Sequence, residues 1–522
     1  MIKALLISLN LSLSLVFFGC STFRDDGISL DAVEKTDDYH GTSIKWHKGS
    51  IDSAFALAKA QQKLVFVYWG ASWCPACNEL RSQLFTSKQF AEGLAGAIPV
   101  FLDGDKDYAQ SWGEFFQISS YPTMLILDEQ KRELLRLSEF ISPSQFIETM
   151  NSVTTLRLNL AQLIEKAQSQ TLSELEWKLL ANLSWGEAKN LEVDSDLILA
   201  KRLDLLARVP AELTAVRASL AASLLETAVH RSVELNPDLS QRLKSQAGDL
   251  IAAMMSDEAS IFAARSTLIY QAKPVLEWAF PTDLSKRKLL AEKWLLSMGR
   301  LRSDTRSSID VRLWTHYPSI AIHQLENKDM PLPVSLQNEL LKDSRDSLVL
   351  LDTPSLKQAV IPGMAYLLAS VGLHDEAHSI LEKEAENSTA PFYFYASMAR
   401  VADMRGDQAM RLKYLERATA QVRGRASRVQ WAAQLLLIYF GDQAPSVAPA
   451  RQQQIIRDFY DAVFLMRDGF SGRSYRSVKQ VASVLKSARL SAANKELIKS
   501  YSFRCNRLAP KEKFRCDDHF SK

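Results

Sequence analysis

The sequence predicts an α/β domain of about 105 residues followed by a long all-α region, and three observations carry that reading. Between Trp46 and about Met150, short uncharged β-rich runs alternate with segments of helical spacing. Past residue 155 the strand-like runs give way to stretches rich in Leu, Ala, Glu, Lys and Arg that repeat at 3.6 residues. At 522 residues the chain is too long for one ordinary core, so two to four domains are expected.

At the N-terminus, Lys3 precedes an apolar run from Ala4 to Phe18 and then Gly19-Cys20-Ser21. A basic flank, a short apolar region and a small residue read as a secretory signal. Cys20 directly after the small residue resembles a bacterial lipobox, in which that cysteine is lipidated and becomes the mature N-terminus. The pattern departs from the usual one at Phe17, where Leu is common, and Ser21 resembles signals for outer-membrane sorting. An uncleaved anchor and a plain signal peptide are the alternatives, and all three place the chain outside the cytosol. Residues 1–19 are read as a lipoprotein signal peptide and 20–45 as a polar tether. If flexible, the tether spans roughly 25–30 Å.

Within residues 46–153 the elements follow in order. Ile51 to Gln61 has helical spacing, and Leu64 to Trp69 is an uncharged run expected of a buried central strand. A helix opening at the cysteines carries Cys77, Leu80 and Leu84 on one face. Ile98 to Leu102, Met124 to Leu127 and Leu134 to Leu137 read as further strands, and Phe146 to Val153 begins a closing helix.

The region 155–500 reads as helical, for example Asp196 to Leu206 and Leu213 to Val229. Ala365, Gly372, Ile380, Leu381 and Glu382 reappear 34 residues on as Ala399, Gly406, Tyr414, Leu415 and Glu416. A third pair is suggested by Ala433 and Gly441. That period, with glycine between paired helices, resembles the tetratricopeptide repeat over about 360–440, giving a partly solenoid domain. Arg411 departs from the pattern, where Ala377 predicts a small residue.

The chemistry lies in Trp73-Cys74-Pro75-Ala76-Cys77, between a strand and a helix. A cysteine at a helix start is favoured as thiolate by unsatisfied N–H groups and the helix dipole. A second cysteine three residues on lies one turn deeper, close enough to displace a mixed disulfide. A redox-active dithiol is the leading reading. A structural disulfide and half of a zinc site are the alternatives, although no nearby CxxC or His pair completes a zinc site.

Together with Tyr121-Pro122-Thr123, 44 residues after Cys77 and directly before a strand, these residues resemble a thioredoxin-like domain, most similar to thiol:disulfide interchange proteins of the DsbD type. The resemblance covers about a fifth of the chain. It implies that Cys74 attacks, Cys77 resolves, Trp73 flanks an accessible sulfur, and Pro75 stiffens the first helical turn. It also implies a cis Pro122 against the cysteines, with Tyr121 offering backbone hydrogen bonds to an incoming peptide. Many relatives carry a buried acid six residues before the first cysteine. Here Tyr68 stands there, and Glu79 or water is left to take the proton of the resolving thiol.

Five cysteines are present, and if Cys20 carries lipid four remain for two disulfides. Cys505 and Cys516, in a tail at 501–522, are read as a structural disulfide worth about 2–3 kcal/mol. A relay to Cys74 and a metal site with His519 are alternatives. His374 and His378 lie four apart, but Glu376 is misplaced for a metalloprotease motif, so a solvated helix face is expected. Phe392 to Tyr395 reads as helix packing. A net charge of +3 without a basic run argues against nucleic-acid binding.

The expected function is that of a membrane-anchored periplasmic thiol:disulfide oxidoreductase, leaning towards reductase or isomerase. Its only redox group is the Cys74–Cys77 pair, and it needs no metal. Expected partners are cysteine-bearing envelope proteins or a membrane electron donor, docked by the helical region. The rival is a non-enzymatic scaffold that uses the thioredoxin-like domain for binding.

Overall fold

The computed structural model describes residues 44–521 apart from 108, 119, 138–142, 183–194, 328–329 and 442–447. The signal segment, Cys20 and nearly all of the tether lie outside the described residues.

Helix α1 (Ile51–Gln61) starts at Ser50, whose side chain accepts from the Ser53 N–H. Strand β1 (Leu64–Gly70) is buried along its whole length, which is why its run carries no charge. It pairs in parallel with β2 (Ala97–Asp103) and antiparallel with β3 (Thr123–Leu127), which pairs antiparallel with β4 (Glu133–Leu137). The sheet order is β2-β1-β3-β4.

Alternation along β1 sorts two cores. Val65, Val67 and Trp69 pack with Ile51, Phe55 and Phe116, on the side of α1 and of α4 (Ala109–Phe115). Leu64, Phe66 and Tyr68 face the helices that follow the cysteines: α2 (Pro75–Glu79), a π-helical turn at Leu80–Leu84, α3 (Lys88–Gly93) and the closing α5 (Pro143–Leu156). Ile44 is buried in this second core, two residues ahead of the expected start of the domain. The helix expected to carry Cys77, Leu80 and Leu84 continues past Glu79 as a π turn.

That second core does not stop at residue 153. It runs on through Leu163, Leu220, Leu250 and Trp294 to Leu325, so the first helices after the α/β domain share its interior. Two further cores follow in sequence, one between Leu313 and Val422, the other between Ala426 and Cys516.

In the core between Leu313 and Val422, helices pair as hairpins: Pro354–Ser370 with His374–Ala385, then Pro391–Met404 with Gln408–Gln421. Gly372 (φ +88°) and Gly406 (φ +82°) take the left-handed turn in each, 34 residues apart. The hydrogen bonds repeat at the same offset: Leu373 N–H to Leu368 O, and Asp407 N–H to Ala402 O. Arg411 avoids the buried position that Ala377 fills by turning outward to Asp403, 3.3 Å away. Gly441 breaks the pattern with φ −77° at the end of the Arg425–Phe440 helix. The tail expected at 501–522 is helical, with a 3-10 turn at Ser502–Arg507 joined to Pro510–Ser521 by the Cys505–Cys516 disulfide. Among the described residues no helix is long and apolar enough to cross a membrane.

Candidate active site

Cys74 is the N-cap of α2. Its Sγ accepts the Cys77 N–H at 3.2 Å, and Pro75 occupies the first turn, where a missing N–H costs nothing. Both cysteines are free thiols. Cys77 lies one turn deeper and fully buried. Burial, the hydrogen bond with Cys74 and the charge of Cys74 push its thiol well above the usual range, against the Ala71 backbone and the Tyr68 side chain. Cys77 is therefore protonated at neutral pH, which leaves Cys74 as the sulfur able to attack.

The Tyr121–Pro122 peptide bond is cis, and Tyr121 packs against the group formed by Ala71, Cys74 and Cys77. Thr123 is buried at the head of β3, its Oγ1 donating to Ser120 O at 3.0 Å. Trp73, Pro75, Tyr121, Pro122 and Thr123 thus gather around the cysteine pair or lead into the strand beside it.

The acid-free environment below Cys77 has a different partner from the expected one. Glu79 points away from Cys77, into the helical region. There it meets Ser308, the charge of Arg265, and Asp310 on the Ile309–Trp314 helix. Burial raises both carboxyls, and repulsion from Glu79 adds to the rise at Asp310. Tyr68 instead turns its hydroxyl to the Cys77 sulfur. The phenol lies across Gly70, where a Cβ would stand 2.4 Å from the hydroxyl oxygen, so only glycine leaves it room.

Cys74 was expected to be accessible, yet only 4% of its surface is exposed. The helical region covers it. The helix Pro354–Ser370 packs against α2, and Gln358 Nε2, oriented by Ser388, donates to Trp73 O at 3.0 Å. The Trp73 ring stacks on Tyr393 at 5.7 Å and meets the edge of Phe392 at 6.2 Å. The aromatic run Phe392 to Tyr395, read as plain repeat packing, thus supplies part of the wall of the site. Tyr393 is near enough to the pair that the charge of Cys74 adds to burial in raising its phenol.

Polar contacts extend this seam. Asp105 accepts from Trp73 Nε1 at 2.6 Å, and from Ser427 N and Oγ at 2.8 and 2.7 Å. Asp107 pairs with Arg425. Gln110 Oε1 accepts from the backbone N–H of Arg473 and Ser474, and Arg473 lies 4.9 Å over the Tyr121 ring. Glu114 takes both arms of Arg515 at 2.7 and 2.8 Å, the Gly472 N–H at 3.1 Å and Lys511 at 3.2 Å. Desolvation works to raise the Glu114 carboxyl, but Arg515, Gly472 and Lys511 outweigh it and hold it down to about 2. In sequence these are ordinary polar residues, and apart from Trp73 these partners lie more than 300 positions away. Only the regular β-to-α spacing that puts Asp105, Gln110 and Glu114 past the C-terminal end of β2 hinted at a ligand-facing edge.

Elsewhere, Cys505 and Cys516 form a disulfide in the last core, away from the core group that holds Cys74 and Cys77. His519 bonds the Tyr460 hydroxyl at 3.0 Å and His378 the Tyr414 hydroxyl at 2.5 Å, so His378 ties two hairpins together instead of lying solvated. Among the described residues His316, Glu339 and Asp343 cluster at metal-ligand separations, but Arg302 already neutralises both carboxylates.

Comparison with known proteins bears on the same segment. Residues 45–129 match the family model described as Thioredoxin-like. The chain is 30% identical over 99 residues to the thiol:disulfide interchange protein DsbD of Haemophilus ducreyi, covering 18% of this chain and 17% of that protein. It is 23% identical over 202 residues to the thioredoxin-related protein DsbJ of Chlamydia pneumoniae, covering 35% of this chain and 58% of that one. The chain thus spans about a sixth of the length of the DsbD relative it matches. Residues 45–129 thus lie in a thioredoxin-like domain, and beyond β4 the described residues are helical.

Proposed function

We propose that this chain is a thiol:disulfide oxidoreductase of the bacterial envelope, held to the membrane by lipid on Cys20 and acting on protein disulfides as a reductase or isomerase. The observation that carries the reading is the pairing of a helix-capping Cys74 with a buried, protonated Cys77 beside a cis Tyr121–Pro122 bond. In the reductive direction the Cys74 sulfur attacks a substrate disulfide. An S–S bond forms to one substrate sulfur, and the other leaves as thiolate. Cys77 then loses its proton and attacks Cys74 Sγ, which closes the Cys74–Cys77 disulfide and releases the second substrate thiol. Two electrons and two protons pass to the substrate, and a dithiol donor restores the pair. The Cys505–Cys516 bridge takes no part and serves to fasten the last helix.

A second reading is favoured by one observation, the burial of Cys74 under the helical region: a scaffold in which the thioredoxin-like domain is a binding module. Trapping separates the two. In cells, a Cys77→Ser variant accumulates mixed disulfides with envelope proteins through Cys74, and a Cys74→Ser,Cys77→Ser variant does not. Absence of adducts from the single variant, with full complementation of a deletion by the double variant, establishes the scaffold.

A further inference from the structure

Apart from the core on the α1 side of the sheet, one large core and two later ones divide the molecule unevenly. The first holds one face of the α/β sheet together with the helices up to Leu325. The two later cores hold the helices that follow, and they meet the redox face. They do so through one aromatic seat, Trp73 on Tyr393 and Phe392, and a line of charged and backbone contacts from Asp105 to Glu114. The seam is largely polar, with the Trp73 ring its apolar anchor against the core between Leu313 and Val422, and interfaces of that composition separate without unfolding their partners.

The fit is nevertheless specific. A Cβ at Gly424 would stand 2.2 Å from Asp105 Oδ2, and one at Gly472, where φ is +53°, would stand 2.5 Å from the Gln110 carbonyl oxygen. Two close approaches on separate segments, both filled by glycine, mark surfaces shaped to each other. On the same face of the α/β domain the reactive sulfur is buried. Attack on a disulfide requires the Cys74 sulfur to reach the partner sulfur in line with the bond being broken. A folded protein cannot bring a disulfide to a side chain that is 4% exposed under Tyr393 and Gln358.

We propose that the helices of the two later cores are a built-in cover for the redox pair. The described arrangement is the closed, resting form, and Cys74 reacts with protein disulfides only after the Glu114–Arg515 clamp and the Trp73 seat have parted. This regulation rests on the redox reading above. The occupant of the redox face is the chain's own later helices, so a substrate or electron donor competes with them for the same surface. The clamp is placed to transmit the state of the last helix, since Arg515 and Lys511 both lie on Pro510–Ser521.

The test is the rate of alkylation of Cys74 by iodoacetamide in the reduced full-length chain, read by mass spectrometry. The wild type is compared with Glu114→Arg, which breaks the clamp, and with Gly424→Val, which wedges the Asp105 contact. Retained far-UV circular dichroism and an unchanged main unfolding transition show that each variant is folded. Wild-type Cys74 is expected to react far more slowly than in the urea-unfolded chain, and each variant faster than wild type by on the order of tenfold. A wild-type rate equal to that of the unfolded chain, or two folded variants that both react like wild type, overturns the cover. Oxidised glutathione added to the opened variants tests the redox reading separately. Accelerated alkylation without any Cys74–Cys77 disulfide leaves the cover standing and removes the oxidoreductase.

Discussion

The Tyr68 hydroxyl reaches the Cys77 sulfur from the strand below it, over a glycine that leaves it space, and its hydrogen bond favours the thiolate against burial. A phenol cannot store the departing proton as a carboxylate does at neutral pH, so its contribution is to stabilise the sulfur anion as it forms. Tyr68→Phe removes that hydrogen bond alone. The Cys77 thiol then rises further, and release of a Cys74 mixed disulfide slows roughly three- to tenfold at pH 7. The pH profile of that step moves to higher pH, as stopped-flow decay of a Cys74–thionitrobenzoate adduct will report. Glu79 and Asp310 provide a second residue-scale prediction. Both carboxyls are raised in the folded chain, so they favour folding in acid, below the ordinary carboxylate range, and that contribution is lost as pH rises through their raised values. Asp310→Asn removes the loss. Its free energy of unfolding in urea should exceed that of the wild type near pH 7 by about 1 kcal/mol, and match it near pH 4. The cysteine motif and the Tyr121–Pro122 pair were legible because their chemistry is local. The direction in which Glu79 points was not, because it depends on Asp310, 231 positions later.

Elements were read well where the pattern was two-sided or periodic. β1 is an uncharged run because both of its faces are covered, and α1 spans the residues that its spacing indicates. The helix after the cysteines was read as continuous, since Cys77, Leu80 and Leu84 keep helical spacing. A π turn at Leu80–Leu84 changes the backbone without disturbing which of those residues is buried, and apolar spacing alone does not register it. The 34-residue repeat of Gly372 and Gly406 was visible because a left-handed helix end selects glycine strongly. At either site a Cβ meets open space, so Gly372→Ala and Gly406→Ala carry only the backbone penalty of positive φ. Each should cost about 1 kcal/mol in urea unfolding of the helical region, the same at both sites because the turns are equivalent.

At the scale of the whole molecule, the burial of Cys74 was invisible in sequence. Gln358, Tyr393, Ser427 and Arg515 belong to segments that read as helix faces or a tail, and nothing local says that those faces meet residues 73–114. The Cys505–Cys516 bridge acts at this scale too. It closes an 11-residue separation and steadies the helix that carries Arg515 and Lys511. Cys505→Ser,Cys516→Ser is expected to destabilise the C-terminal core by about 2–3 kcal/mol and to quicken Cys74 alkylation in the same preparation. Glu114 adds a dependence on acid. Its carboxyl is held at about 2, so its contribution to the seam is complete above the ordinary glutamate range and falls away as pH drops towards 2. Disulfide exchange by this chain depends on Cys74 and Cys77 cycling as one couple. The most direct measurement is a redox titration of the full-length chain against glutathione and dithiothreitol buffers, with the pair followed by thiol labelling. The account predicts a single two-electron transition between dithiol and Cys74–Cys77 disulfide, at a potential between about −120 and −270 mV. Two thiols that stay unpaired across that whole range, or that yield only glutathione adducts, would contradict it.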